Sequence, residues 1–568
     1  MKIKQTKIVF PFLFIALMFF GAKTASASNA PVIFYTDITS GPNTGGENNN
    51  GAVVSIFGKN FGSGLDNIQV YIGNNQVARK VYLGPSLGRT DIQQLAVQIG
   101  PSVNSGNIKV VVNGEESNTG LNFTVRSGNI YFVAPAGDDA AAGSYTAPWE
   151  HLDVAKSRLY PGDILYALDG LECFTQDRYS SSDECLRITT SGGSARDGTE
   201  ANPIAMIVYP GETAQIGCTD EGCPKKAISG YLDWWTIAGF TMRSLAGGRG
   251  AAISYSDYLN AMEGSRLVNN NLRGAYYSIG TFSNSNMFVL GNNMIGSVTG
   301  NSIFYFSGSS KYPSDYIEIG WNLAHDCIGD DGYPIKFFYA PPSGPITPDA
   351  LPVDKITIHD NAIYTTDRAP ILLGGNDWGD NDWLYDIKVY NNIIYDFRGG
   401  AGEGAIRYSN TSGDLEVHMN VETYNNTIIL DADSSRSCFE VNGGNILTFK
   451  NNLCVMGNTA ISYFARIENV QTSIAMDHNG YYGGISIPAY DANPISGNPL
   501  FINANLHDYR LMSNSPYVNT GVSAGITRDY NGLSRPQGSG YDIGAFEYDE
   551  NTPIDTIAPS APGGLSVR

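Results

Sequence analysis

The sequence predicts an all-β chain in which an immunoglobulin-like sandwich is followed by a right-handed parallel β-helix. Three observations carry this expectation. Short runs that alternate apolar and polar residues, such as Val53-Val54-Ser55-Ile56-Phe57 and Ile108-Lys109-Val110-Val111-Val112, lie between glycines and asparagines in the first fifth of the chain. Further on, an Asn followed by an apolar or small residue recurs at Asn271, Asn293, Asn322, Asn361, Asn392, Asn426, Asn452 and Asn479, with gaps of 22, 29, 39, 31, 34, 26 and 27 residues. That irregular period suits coils that share a strand frame but differ in loop length. Finally, 65 glycines and 34 tyrosines among 568 residues, with 16% charged, fit a turn-rich β-protein.

At the N-terminus, Lys2, Lys4 and Lys7 precede an apolar run from Ile8 to Phe20 and the small residues Ala25-Ser26-Ala27, so residues 1–27 are expected to be a secretory signal peptide. The run is too short to span a bilayer, and nothing later approaches that length. A secreted or cell-surface location is therefore expected, with no membrane span. Residues 30–126 form the expected sandwich. The opening Pro31-Val32-Ile33 and the stretch Val54-Ser55-Ile56-Phe57-Gly58-Lys59-Asn60-Phe61-Gly62 resemble the IPT/TIG family, in which the module serves as a spacer or binding appendage. Ser127-Gly128 reads as a short flexible linker, so the sandwich is expected to be independent of the β-helix.

Residues 128–495 are expected to form the β-helix. Ile130 to Asp139, Pro148-Trp149, Pro161 to Tyr166 and Asn202 to Glu212 resemble the opening of secreted β-helix proteins of the pectate-lyase-like superfamily. Within the coils, asparagines stacked at one turn satisfy backbone groups that would otherwise be unpaired. Residues 496–549, with Asn498-Pro499-Leu500-Phe501, Arg535-Pro536 and Asp542 to Glu547, resemble the closing segment of such proteins and are expected to cap the stack. Residues 550–568 resemble the start of a fibronectin type III domain, as though a longer architecture continued beyond it.

A formal charge of -20 argues against nucleic acid as a partner. The seven cysteines of an exported chain invite pairing of Cys173 with Cys185, Cys218 with Cys223 and Cys438 with Cys454, leaving Cys327 free.

The strands that come after the Asn turns align as Ile335-Lys336-Phe337, Ile371-Leu372-Leu373, Ile406-Arg407-Tyr408, Phe439-Glu440-Val441 and Ile461-Ser462-Tyr463. With the flanking members inward, Lys336, Leu372, Arg407, Glu440 and Ser462 form an outward column. Lys336 and Arg407 then stand about 10 Å apart at the strand spacing. Lys336, Arg407 and Glu440 are the expected catalytic residues.

The loop His325-Asp326-Cys327-Ile328-Gly329-Asp330-Asp331-Gly332-Tyr333 is rich in hard oxygen ligands suited to Ca²⁺, with Asp326, Asp330 and Asp331 as ligands and Asp396 in the column of Asp326. His325, Trp378 and Trp383 are the expected substrate-binding residues, the tryptophans as faces for sugar rings. The Asp330-Asp331-Gly332-Tyr333 run resembles the calcium site of family-9 pectate lyases. Pro334 stands where that family's pattern has another Asp, and no lysine follows at the expected distance, so only Asp330 and Asp331 are carried over.

These parts fit β-elimination on a uronate-containing extracellular polysaccharide, by a monomer. Two other readings stand beside it. Asp330, Asp331, Glu403 and Glu440 could supply the two carboxyl groups of a glycoside hydrolase, although the Gly-His-Gly and Arg-Ile-Lys motifs of polygalacturonases are absent; a uronate epimerase stands with it as a further alternative. The helix could also be a non-catalytic adhesin or carbohydrate-binding stalk.

Overall fold

The computed structural model describes residues 30–550 except 178–182, 191–194, 219–223, 232, 245–249, 256–261, 283, 297–300, 309–313, 330–331, 340–352, 376–382, 399–402, 410–417, 431–435, 443–445, 457–463 and 468–472. The expected signal peptide and nearly all of the fibronectin-like start lie outside the described residues. No described helix is long and apolar enough to cross a membrane.

The sandwich pairs Val32–Thr36, Val53–Lys59, Gln93–Gln98 and Arg79–Pro85 in one antiparallel sheet. Its second sheet is built on Asn122–Val125, Gly106–Val112 and Ile68–Ile72. Alternation places Ile56, Val70, Leu95, Val97, Ile108 and Val110 between the sheets, all with no exposed surface.

The rest is a right-handed parallel β-helix with three long faces. Sheet A runs through twelve described strands, from Ile130–Val133 to Ser473–Asp477. Sheet B has twelve, from Leu171–Cys173 to Ile495–Ser496, and sheet C has ten, from Glu184–Thr189 to Phe464–Ile467. One rung reads Val353–His359 in sheet A, Ala362–Thr366 in sheet B and Ile371–Gly375 in sheet C. Each face pairs in parallel with the next rung, and the inward side chains form one continuous apolar core along the axis.

The corner between sheets A and B carries an asparagine ladder of Asn270, Asn292, Asn322, Asn361, Asn392, Asn426, Asn452 and Asn479, all fully buried. Each side-chain amide donates to the carboxamide oxygen of the next, at 2.9–3.1 Å, and that oxygen also accepts the backbone N–H of the Asn before it. The first two members differ by one residue from Asn271 and Asn293. Asn269-Asn270-Asn271 and Asn292-Asn293 each offer adjacent choices, and only the strand register decides: Asn271 pairs with Asn293 and Asn293 with Leu323, one residue beyond the ladder. The residue before a ladder Asn is left-handed at Asn269, Asp360, Asn391, Asn425 and Asn451, with φ of 52° to 54°. Asn and Asp tolerate that conformation best, which explains their recurrence there.

The sandwich is not an independent module at one end. Its strands do not join the helix sheets, but its core is continuous with the outward face of sheet A through Phe132, Ile164, Tyr166, Ile207, Val268 and Leu290. The Tyr166 hydroxyl donates to the Val53 carbonyl at 2.7 Å. Asn269 accepts from Ser86 and from the Leu87 N–H, and Arg89 donates to the Asp360 carbonyl at 3.0 Å. A Cβ on Gly88 would fall 2.3 Å from the Gly291 carbonyl, so only glycine permits this approach.

The closing segment likewise lies along the side of the stack. Tyr509, Tyr530, Phe546 and Ile543 pack over Ile393 and Leu453 of sheet B, and Asn425 and Asn451 donate to carbonyls of Asp542, Gly544 and Val522. The left-handed turn residues thus form a spine gripped by the sandwich at earlier rungs and by the closing segment at later ones. Arg89 joins the two, stacked 3.3 Å above the Tyr530 ring and donating to the Tyr530 carbonyl.

Cys438 and Cys454 are bridged, tying sheet C to sheet B. Cys218 is disulfide-bonded, and Cys223 lies outside the described residues. Cys327 is free. Contrary to expectation, Cys173 and Cys185 are also free thiols, with Cys173 donating to the Cys185 carbonyl at 3.4 Å. Closeness in sequence brought them to neighbouring strands without joining their sulfurs.

Candidate functional site

The outward column of sheet C follows from its register. Tyr305 pairs with Lys336, Lys336 with Leu372, Leu372 with Arg407 and Arg407 with Glu440. Period-two alternation requires this arrangement, because Ile335, Phe337, Ile371, Leu373, Ile406, Tyr408, Phe439 and Val441 fill the core with no exposed surface. Phe439 pairs with Phe464 in the next rung, three residues beyond the start of the triplet centred on Ser462, and Ser462 itself lies outside the described residues. Loop-length variation between the last rungs accounts for that offset.

Tyrosine rings wall Lys336. Its ammonium lies 5.0 Å from the Tyr333 ring centre and 5.7 Å from that of Tyr305. Tyr277 in turn stacks on Tyr305 at 5.0 Å, lying over Gly280, where a Cβ would come within 3.0 Å of the ring.

At the other end the charges interlock. Arg368 donates to Glu403 at 2.7 Å and to the Tyr333 hydroxyl at 2.6 Å. Glu403 also pairs with Arg407 at 3.6 Å, and Arg407 pairs with Glu440 at 3.4 Å. Glu440 is 3% exposed, so this end of the column is covered rather than open to solvent. Burial raises its pKa, while the Arg407 charge and hydrogen bonds from Gly404 and Asn442 oppose the rise.

Three cations, two carboxylates and three aromatic rings therefore share one face. Such a surface can hold an anionic sugar by its carboxylate and by its ring face. Tyr305, Tyr333 and Arg368 were absent from the sequence-based set. Tyr305 could have been found as the middle of Phe304-Tyr305-Phe306, the same triplet one rung earlier. Arg368 sits in the connection between sheets B and C, where no periodicity marks it.

The other expected residues stand elsewhere. Asp330, Asp331 and Trp378 lie outside the described residues, and Trp383 opens a strand of sheet A. His325 and Asp326 belong to sheet B, not to the sheet C column. His325 is buried, with its ring nitrogens against Asn293 at 2.9 Å and Asp326 at 3.0 Å, and it stacks on Tyr364.

Asp326 and Asp396 do share a column, separated by Thr365. Both carboxylates already have partners. The hydrogen bond from His325 lowers the Asp326 pKa, helped by the charges of His325, Arg273 and Arg398, while Asp396 is paired with Arg398 at 3.1 Å. A cation would meet guanidinium charge already in place. Among the described residues, the group close enough to share an ion is Asp139, Glu150 and His151, where Asp139 also accepts the backbone N–H of both other residues at the start of a short helix.

The family model of the IPT/TIG domain matches residues 36–138. No curated protein matches the chain. Among solved structures, the pectate lyase Pel9A is similar at 15% identity and a TM-score of 0.48, over 74% of this chain and 97% of that one. A complex of XylC with xylose is similar at 9% identity and a TM-score of 0.40, over 73% and 98%. A rhamnogalacturonan lyase is similar at 12% identity and a TM-score of 0.30, over 65% and 85%.

Proposed function

We propose that this protein is a secreted or cell-surface polysaccharide lyase that cleaves a uronate-containing polymer by β-elimination on the outward face of sheet C. The observation that supports this most is the register of Lys336 with Arg407, one proton-transfer group and one guanidinium on a single column walled by tyrosines. In this reading Arg368 or Arg407 holds the uronate carboxylate, which makes the adjacent C5–H more acidic. Lys336, in its amine form, takes the C5 proton. The electron pair forms the C4=C5 double bond, the C4–O4 bond breaks, and the departing oxygen is protonated by water. Arginine keeps its charge in proteins, so Arg407 serves as an electrostatic partner and not as the base. Glu440 positions it.

Incubating the mature protein with polygalacturonate, alginate and other uronate polymers should generate the ultraviolet absorbance of an unsaturated uronate, and Lys336→Ala should abolish it. A requirement for calcium, resting on Asp330 and Asp331, would be read by adding a chelator to the same assay. The raised Glu440 beside Glu403 favours a second reading, glycoside hydrolysis. New reducing ends without absorbance would select it, and no cleavage of any polymer would leave a binding stalk.

A further inference from the structure

Sheet B has an outward column of its own. Arg243 pairs with Arg273, Arg273 with Ile295, Ile295 with His325, His325 with Tyr364 and Tyr364 with Tyr395. The closing segment covers this face only from about Ile393 onward, and the sandwich lies on sheet A. The earlier rungs of the face are therefore left uncovered by both.

Two features of the uncovered part stand out. Arg243 and Arg273 are neighbours one strand spacing apart, about 4.8 Å. In a chain with a formal charge of -20, neither guanidinium has an ion pair or hydrogen bond among the described residues. The Arg273 Nε is enclosed and has no hydrogen-bond partner. Asp326, two rungs on, feels the Arg273 charge but is hydrogen-bonded by His325 and forms no ion pair with Arg273. Beyond it, His325 and Tyr364 stack at 5.1 Å with nearly parallel rings, and Tyr395 continues the stack at 4.9 Å beneath the closing segment. Like charges held side by side repel unless an anion lies between them, and two guanidinium forks at this spacing suit an oxyanion.

We propose that Arg243 and Arg273 form a second binding site, on sheet B, for the oxyanion groups of an acidic polysaccharide, with the chain running on over the ring stack toward Tyr364. The site is separate from the sheet C column and requires only that the ligand be an acidic saccharide, not that sheet C be catalytic. It would retain polymer beside the cleaving face.

The test is affinity electrophoresis of the full mature chain in gels containing polygalacturonate, a sulfated polysaccharide or neutral dextran. R243Q/R273Q is expected to weaken retardation by acidic polymer at least tenfold, with dextran mobility unchanged. Any turnover of short uronate oligomers should be kept. I295E, which places a carboxylate at the next position of the column, should also weaken retardation and serves if the double variant does not fold. K336A should show the converse, with retention kept and turnover lost. Loss with polygalacturonate alone assigns a carboxylate ligand, and loss with the sulfated polymer alone assigns a sulfate ester. Unchanged retardation by both acidic polymers in folded variants would overturn the site, whatever sheet C does.

Discussion

Sheets A and C belong to the same coil and share its rungs, yet their outward faces have opposite fates. Sheet A is apolar on both sides in its first rungs: Leu165 and Ala167 enter the helix core while Ile164 and Tyr166 enter the sandwich core. Sheet C exchanges that second apolar layer for Tyr305, Lys336 and Arg407. A strand apolar on both faces needs a cover, whereas one that alternates leaves its polar members for chemistry.

The largest test of this contrast is on the open face. Lys336→Ala should reduce turnover of a cleaved polymer by about a hundredfold or more, with the thermal midpoint unchanged. A parallel loss of stability would make Lys336 structural and break the contrast. On the covered face, Arg89→Ala should reduce unfolding free energy by about 3 kcal/mol, because it removes a buried stack, two carbonyl hydrogen bonds and one of the two cations paired with Asp91. Urea denaturation measures this, and turnover per folded molecule should not change.

A pH scan sharpens the same boundary. His359 lies beneath the sandwich contact, edge-on to Trp321, which stacks on Phe34. Burial would lower its pKa, but hydrogen bonds to Asp360 at 2.7 Å and Glu318 at 3.1 Å, with their charges, raise it to about 9. A folded pKa above the unfolded value means that the stabilisation is complete below about pH 6.5 and is lost as pH rises through about 9. The expected decline is about 3 kcal/mol, and His359→Phe should flatten it. The smallest effect is expected for Tyr305→Ala, about a tenfold loss of polymer affinity with little change in stability.

Much of this architecture could be read from residues. The Asn period disclosed the coil, and the triplets around Lys336, Arg407 and Glu440 disclosed a face. The lateral packing of the sandwich escaped that reading, which has Ser127-Gly128 as a flexible linker, although the unbroken apolarity of Ile164-Leu165-Tyr166-Ala167 and Ile204-Ala205-Met206-Ile207-Val208 demands two buried faces. The hidden part depends on loops. The Glu403–Arg407–Glu440 linkage joins a connection to two strands, and Arg368 reaches it from another connection. No period relates such positions. Cys173 and Cys185 mark a similar limit, since proximity along the chain does not specify how two sulfurs face each other.

The asparagine ladder has a direction. Every carboxamide passes its N–H toward the later rung and receives on its oxygen from the earlier one, so the series behaves like a sentence that can be extended only by another Asn. It ends at Asp491, whose carboxylate accepts from the Asn479 amide at 3.1 Å and from the Tyr481 hydroxyl at 2.6 Å and, when ionised, has no N–H to hand on. A carboxylate at that position is a full stop. The ladder thus ends where an acceptor without a donor stands at the corner, and Asp491→Asn would restore a donor with no further ladder Asn beyond it among the described residues.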